Sequence, residues 1–514
     1  MDSMDLMDRR ANKGNQNRNG VLMVLALGLL ASGCASFNQR DQMARFNAAY
    51  SDGDYLAAAE AMEFDAGQWQ ETDKDRADGA GEYVLELLHQ GEALRLAGDY
   101  EGAVEAFDWA EAGMKYLDTE GAMASALGSV SSILVNDSSR DYRALMSEAI
   151  LLNTYKGLGF LAMADSADAR VEFNRADDRT RRAVDYFSEE IQARQQQLLG
   201  DPASAGLVNR TLGSHDLKAA LEDNYGSPSR WQVFPDYIVP TSTYLHGLFF
   251  LAASTGGADT SKALTSLQRV AGMVPGNEVL SEDVALAEAL ASGQTSRQHL
   301  PPQVWVVYEN GLGPVLEEIR FEVPLLISRH GESQIIVAVV ALPRYRDRSA
   351  VPGHLRVTGE NQDQVATEPL VSMGQVIQTE MQARFPGVLI RAVSAAVVKG
   401  MIQSQVAESM GALGQFGAIL YTVSTTQADL RGWQALPDHW QIARVERPAD
   451  GNLILTDSHQ GELGTLALPP SPFTLVYVKR PTAAAPATVM VMDLQGRHPG
   501  QTLTLPASAG SAKQ

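Results

Sequence analysis

The side chains that most often carry chemistry are sparse in this sequence. There is one cysteine, Cys34, and nine histidines are scattered along 514 residues. No pair of them stands at the spacing of a zinc site, and a single thiol cannot build a disulfide framework. No Gly-x-Ser-x-Gly elbow, His-Glu-x-x-His pair or Walker loop occurs. Three local patterns come nearer. Asp73-Lys74-Asp75-Arg76-Ala77-Asp78-Gly79 has the alternating carboxylates of a calcium loop, but its glycine falls at the seventh place and its twelfth residue is Val84, where a glutamate is needed. Gly311-Leu312-Gly313-Pro314 is glycine-rich without a following helix to offer amides to a phosphate, so it reads as a turn. His439 and Trp440, near Arg431 and Trp433, suggest an aromatic-basic patch for a glycan or peptide, with core packing and a solvated arginine as the competing reading. The sequence thus implies no catalytic group, no cofactor and no metal.

The first forty residues are more informative. Arg9, Arg10, Lys13 and Arg18 give a basic start, Val21 to Leu30 is an apolar run, and the small residues Ala31, Ser32 and Gly33 precede Cys34. A charged front, a short apolar core and a small-residue cleavage site make a secretory signal, and the run is too short for a comfortable transmembrane helix. Leu30-Ala31-Ser32-Gly33-Cys34 resembles the bacterial lipobox. That resemblance implies cleavage after Gly33, removal of residues 1–33, diacylglycerol on the Cys34 sulfur and palmitate-type acylation of the new amino terminus in a short lipidated segment, 34–36. An ordinary signal peptide with a coincidental cysteine is the alternative. Ala35 follows the cysteine where an aspartate usually marks inner-membrane retention in such lipoproteins, so the expected location is the outer membrane, anchored by lipid and facing the periplasm. Several acyl chains give stable attachment where one is marginal. The net charge of −21 and pI near 4.9 repel phosphate backbones, which argues against nucleic-acid partners.

Residues 37–298 read as helical hairpins. Tyr100, Ala103, Phe107 and Ala110 share one helical face, and Gly91 lies twelve residues before Ala103 in the preceding helical stretch. Gly157, Ala169, Phe173 and Ala176 repeat those offsets. Partial copies hold Gly53, Tyr55, Ala58 and Met62, and then Gly247, Ala263, Leu267, Val270 and Pro275, with Gly247 four residues early and a longer turn implied. The pattern resembles the tetratricopeptide (TPR) repeat, in which the small residue lets two helices approach and the alanines and aromatic form the seam. Spacings of 45, 66 and 94 residues (Ala58 to Ala103, Ala169 and Ala263) depart from the regular period, so irregular hairpins with inserts are expected, and a plain helical bundle is the alternative. Segment 196–240, rich in glycine and proline, reads as a mostly irregular connection.

Pro301-Pro302 marks a change to strand-like patterning. Val304 to Tyr308 and Ile319 to Val323 read as strands, Ile335 to Leu342 as a central strand, and further strands fall at 440–446, 453–456, 474–479 and 488–492. Helices are expected at 368–384 and 388–427; the uncharged stretch from Ser409 to Ala428 reads as a helix buried against the sheet. The fold class is therefore α+β and multi-domain: an all-α, TPR-like domain at 37–298, then an α+β domain at 300–495 with a mainly antiparallel sheet and a helical insertion, and a frayed tail at 496–514.

Segments 304–325, 243–250 and 428–445 resemble an uncharacterised family of Gram-negative bacterial lipoproteins with TPR-like helical repeats, most specifically at Glu309-Asn310-Gly311 and Arg431-Gly432-Trp433. The resemblance implies the architecture and the envelope location and carries no activity. Three functions stay open: a non-catalytic scaffold or adaptor that holds envelope proteins, a cell-wall or glycan-processing enzyme, and a subunit of an export or assembly machine. The missing motifs favour the scaffold.

Overall fold

The computed structural model describes residues 39–63, 80–114, 142–199, 202–226, 231–235, 237, 239–329, 332–348, 351–359, 364–425 and 428–506, apart from the side chains of 402–425 and of some residues near 200 and 325–336. Cys34, Gly33 and the 73–79 loop lie outside them. The chain is mixed α+β, helical in its first part and strand-rich in its second.

Helix α1 covers 39–52, α2 Tyr55–Ala61, α3 Val84–Ala97, α4 Tyr100–Gly113, α5 Met146–Ala162, α6 Ser166–Leu199, α7 Pro202–Leu212, α8 His215–Asn224, α9 Pro240–Ala252, α10 Gly257–Met273 and α11 Glu278–Ala291. Local chemistry sets the ends. The Asp54, Asp99 and Asn277 side chains accept from the amides of Ala57, Gly102 and Leu280, satisfying orphan donors at the starts of α2, α4 and α11. Gly98 ends α3 at φ +86°, a conformation that costs glycine little, and Asp99 starts α4 at once. Segment 196–240 is largely helical, contrary to the sequence reading. Pro202 opens α7, where its missing N–H is no loss, and Ser214 caps α8. Among its described residues, the irregular stretch is 231–239.

The strands are β1 Gln303–Asn310, β2 Val315–Arg329, β3 Glu332–Arg346, β4 Leu355–Thr358, β5 Gln364–Ala366, β6 Glu368–Ser372, β7 His439–Glu446, β8 Asn452–Asp457, β9 Gly461–Ala467, β10 Phe473–Arg480, β11 Ala487–Asp493 and β12 Gln501–Leu505; helix α12, Met373–Thr425, lies between β6 and β7. A six-stranded sheet runs β12-β11-β10-β1-β7-β6, parallel at β1/β10 and antiparallel elsewhere. A four-stranded sheet runs β5-β4-β8-β9, and β2 and β3 form a separate long hairpin. Three expectations need correction. Residues 368–372 form β6 rather than the start of a helix, and α12 continues through Pro386. Residues 335–342 are half of a two-stranded hairpin, not a central strand: Ala338, Val340 and Leu342 are buried, but Ile335 and Val337 are 67% and 49% exposed, so only one face is covered. The tail is not frayed up to 506; β12 pairs with β11, and Thr502 meets the Tyr100 hydroxyl.

The period-2 alternation of β1 divides the interior. Trp305 and Val307 join a cluster with Phe107, Tyr155, Tyr244, Phe249 and many other helical residues. Val304, Val306 and Tyr308 point the other way, into a cluster with Leu355, Val357, Leu453 and Leu466 of the smaller sheet. The six-stranded sheet is thus sandwiched between a helical layer and a second sheet. The change at residue 300 separates helix from strand, but the two segments share one hydrophobic cluster. A third cluster joins α7, α8, the hairpin and α12 through Val208, Leu217, Phe321, Val340 and Val393.

Candidate functional site

Two groups of polar side chains lie where the helices meet the sheet. The first is a buried ionic knot. Charges sit among apolar residues in α3 (Glu92, Arg95), at the end of β1 (Glu309) and in β10 (Lys479), and all four are fully buried. Arg95 reaches Glu92 at 2.8 Å and Glu309 at 3.4 Å, and Lys479 reaches Glu309 at 3.2 Å and Glu92 at 3.9 Å. Glu309 also accepts from the Tyr155 and Tyr477 hydroxyls and, at 3.1 Å, from Trp440 Nε1. The Arg95 guanidinium lies 4.2 Å from the centre of the Tyr155 ring. Burial alone would raise the Glu309 carboxyl, but Lys479 and Arg95 outweigh it and hold the group below its usual range. Burial pushes Glu92 up in spite of Arg95. Two cations against two carboxylates leave the knot neutral, as a site cut off from water requires.

The second group lines a cleft between the start of α5 and the loops 311–316 and 430–436, with Tyr345, Met373 and Ile377. Its free space, counted out to the mouth, is about 410 Å³, of which about 30 Å³ admits the centre of a water molecule. That is room for a few waters or a thin chain, not a bulky ligand. Its carboxylate is Glu148, at the third position of α5. Glu148 accepts from the Tyr142 hydroxyl (2.6 and 2.8 Å), Leu145 N–H (2.8 Å) and Trp433 N–H (2.9 Å). Burial nevertheless raises its pKa to about 6, outweighing those hydrogen bonds. Glu380 of α12 takes the next amides of the same helix end, Met146 N–H at 2.8 Å and Ser147 N–H at 3.0 Å. Two carboxylates at the positive end of a helix satisfy its orphan donors. The floor is Trp433, edge-on to Phe107 and Tyr155, the latter also a member of the ionic knot. The 430–436 loop is held further by His89: its Nδ1–H donates to Leu85 O (2.7 Å), so the bare Nε2 accepts Gln434 N–H (3.0 Å). Burial holds this neutral imidazole down to a pKa of about 4.

The residues expected to pack the hairpins are placed as follows. Ala103, Phe107 and Ala110 are buried on α4, with Tyr100 partly buried at its start, and a Cβ on Gly91 of α3 would lie 2.7 Å from the Phe107 ring. Ala169, Phe173 and Ala176 are buried on α6, and a Cβ on Gly157 of α5 would lie 3.0 Å from Phe173. Gly247 stands in the same relation to Leu267, at 2.9 Å. The first helix of each pair faces the sheet: in α5 every residue but Phe160 is buried. The second helix of each pair carries the exposed side. The sheet therefore fills the inner side of the row.

The proposed aromatic-basic patch is not assembled. His439 Nδ1 pairs with Asp438 at 2.7 Å, Trp440 is buried against Glu309, and Arg431 pairs with Asp429 and lies over Tyr142. Among the described residues no group of three or more His, Cys, Asp or Glu could hold a metal ion. Sequence reasoning missed Glu92, Arg95, Glu148 and Lys479, and met Glu309 only as part of the Glu309-Asn310-Gly311 resemblance, without its buried ionic role. The signal available was a charge on an otherwise apolar face, as in the run VLELLHQGEALRLA of α3. Comparison with family models, curated proteins and solved structures returns no match.

Proposed function

We propose that the chain is a lipid-anchored envelope protein that acts as a non-catalytic scaffold or adaptor at the periplasmic side of the outer membrane. The lipobox-like run ending at Cys34 supports the anchor. The close glycine-to-ring contacts of α3/α4 and α5/α6 support a TPR-like reading of the helical layer. The observation that carries the non-catalytic reading is the state of the cleft carboxylate. Both oxygens of Glu148 are engaged by donors of the protein itself, so the group serves the helix end and the 430–436 loop before it can serve a substrate. A partner is expected on the exposed side of α4, α6 and α10, because the sheet occupies the other.

A glycan- or cell-wall-processing activity is the second reading, favoured by the same residue: a carboxyl held at about 6 beside a tryptophan is poised for proton transfer near neutral pH. The two separate on Glu148→Gln. A scaffold that still folds keeps its crosslinked envelope partners and complements a deletion strain. An enzyme keeps the partners and fails to complement.

A further inference from the structure

We propose that the β2–β3 hairpin is a second membrane contact, lying flat in the leaflet that holds the Cys34 lipid; this rests on the anchor reading above. The hairpin belongs to neither larger sheet. One face packs on α7, α8 and α12 through Phe321, Val323, Ala338, Val340 and Leu342. The other face is open at Ile335 and Val337, two of the few large hydrophobic side chains exposed among the described residues. The register sets them opposite Leu326 and Pro324. Their neighbourhood is uncharged from Val323 to Ile327 and from Gln334 to Leu342, whereas Glu318, Arg320 and Glu322 lie nearer the base and Arg329 and Glu332 flank the tip. A hairpin lying flat places Ile335 and Val337 among acyl chains and leaves the charged base at Glu318, Arg320 and Glu322 at headgroup level. Beside it runs the Met373–Met401 portion of α12, with a mean hydropathy of 1.2 in its most apolar window, only 28% of which is buried.

The lipid surface is the favoured occupant because of where the anchor leaves the protein. Four residues lie between Cys34 and the start of α1 at 39, so the Cα of Cys34 is tethered within about 18 Å of that helix. The first residue of α1, Gln39, donates to Glu86 at 3.0 Å. Further along the same helix, Asn47 donates to Gln434 of the 428–436 loop at 2.9 Å. In that loop the Ala428 N–H donates to Glu318 at the hairpin base at 2.6 Å. These contacts place the first helix, to which the tether leads, beside the root of the hairpin.

The test uses the chain without residues 1–33 and with Cys34→Ser, so that no lipid is attached. It should float with vesicles of phosphatidylethanolamine and phosphatidylglycerol. Ile335→Glu with Val337→Glu should weaken that binding on the order of a hundredfold, since two apolar side chains leave the acyl region. Both positions are exposed, so the melting temperature should hold, and the milder Ile335→Ser with Val337→Ser serves if it does not. Failure to float, or binding unchanged in both double variants, overturns the proposal. So does a vesicle-free dimer that the substitutions dissolve, which would make the patch an interface between copies. Palmitate incorporation by the intact chain is measured separately. If it is absent the anchor reading falls, while flotation still decides the hairpin.

Discussion

Replacing Lys479 with methionine tests what holds the helical layer on the sheet. At an effective dielectric near 20, a charge pair at the 3.2 Å separation of Lys479 and Glu309 attracts by about 5 kcal/mol, and the 3.9 Å contact with Glu92 adds about 4. Repulsion from Arg95 and the desolvation of the ammonium offset most of this. What the substitution exposes is the remainder: Arg95 alone faces two buried carboxylates, one charge too many. Breaking a buried pair in this way typically costs about 3–5 kcal/mol. Glu92, which burial already pushes up, should then take up a proton. Its folded pKa would stand further above the unfolded one, so the folded state binds more protons between those values, and the variant should lose stability as pH rises through that window. Adding Glu92→Gln removes the surplus charge and should return most of the loss. The assay is urea unfolding of the wild type, both single variants and the double variant at pH 5 and pH 8. A cost below about 1 kcal/mol for Lys479→Met, or no coupling between the two substitutions, would refute the account, because a charge that can be left uncompensated so cheaply is not cut off from water.

Other expectations follow from the same contacts. Gly91→Leu and Gly157→Leu should each destabilise by about 1–3 kcal/mol through overpacking against Phe107 and Phe173, whereas Gly206→Ala in α7, where a Cβ meets nothing within 4 Å, should be neutral or stabilising; equal melting temperatures across the three would sink the hairpin-seam assignment. His89 and His246 are both held down to about 4 by burial. The folded pKa is depressed, so their contribution is complete above the unfolded value and is lost as pH falls from about 6.5 to 4, by roughly 3 kcal/mol for each histidine. Glu148, raised to about 6, works the other way and offsets about 2 kcal/mol as pH falls from 6 to 4.5. Circular-dichroism melts should therefore show a net loss of stability below pH 6, and His89→Gln should flatten it. Cys34→Ser should abolish palmitate labelling and release the protein from outer-membrane fractions; label retained in that variant contradicts the lipobox reading.

Some of this was legible in the sequence, for physical reasons. The offsets of Gly91 and Phe107 mark positions one helix-to-helix contact apart, and only a residue without a side chain lets the ring lie that close. The strands at 304–308, 440–446, 474–479 and 488–492 carry β-branched and aromatic runs that suit a doubly covered sheet, whose two faces are both apolar. Short edge and partner strands such as β5, β9 and β12 gave no such signal, because their stability comes from the neighbour they pair with rather than from composition. Periodicity also misplaced the 335–342 run: continuous hydrophobicity fits a central strand and a hairpin with one uncovered face equally well. The ionic knot was hidden for a different reason. Glu92 and Glu309 are 217 positions apart; a charge on an apolar helix face marks Glu92 as unusual, but nothing local says which distant residue it pairs with.

The way the helical layer meets the sheet narrows what the protein can do. A free row of helical hairpins offers its inner groove to a peptide or a partner helix. Here the first helices point that side at Trp305, Trp440 and Tyr477, and two sets of polar contacts hold them there. One is the Glu309 knot. The other is Asp283 of α11, which accepts from Trp305 Nε1 at 3.0 Å and Tyr244 at 2.8 Å and pairs with Arg444 at 2.7 Å. A partner bound in that groove would have to displace a sheet whose removal leaves several buried charges unpaired, so the groove is closed to ordinary binding. The adaptor proposed above would thus dock through the outer faces of its second helices. Charge substitutions on the exposed side of α4 or α6 should therefore release crosslinked partners, while substitutions that loosen the sheet contacts should lower stability first and release partners only as the protein unfolds. Partners lost through a sheet-facing substitution at unchanged melting temperature would reverse this assignment and put the groove back in use.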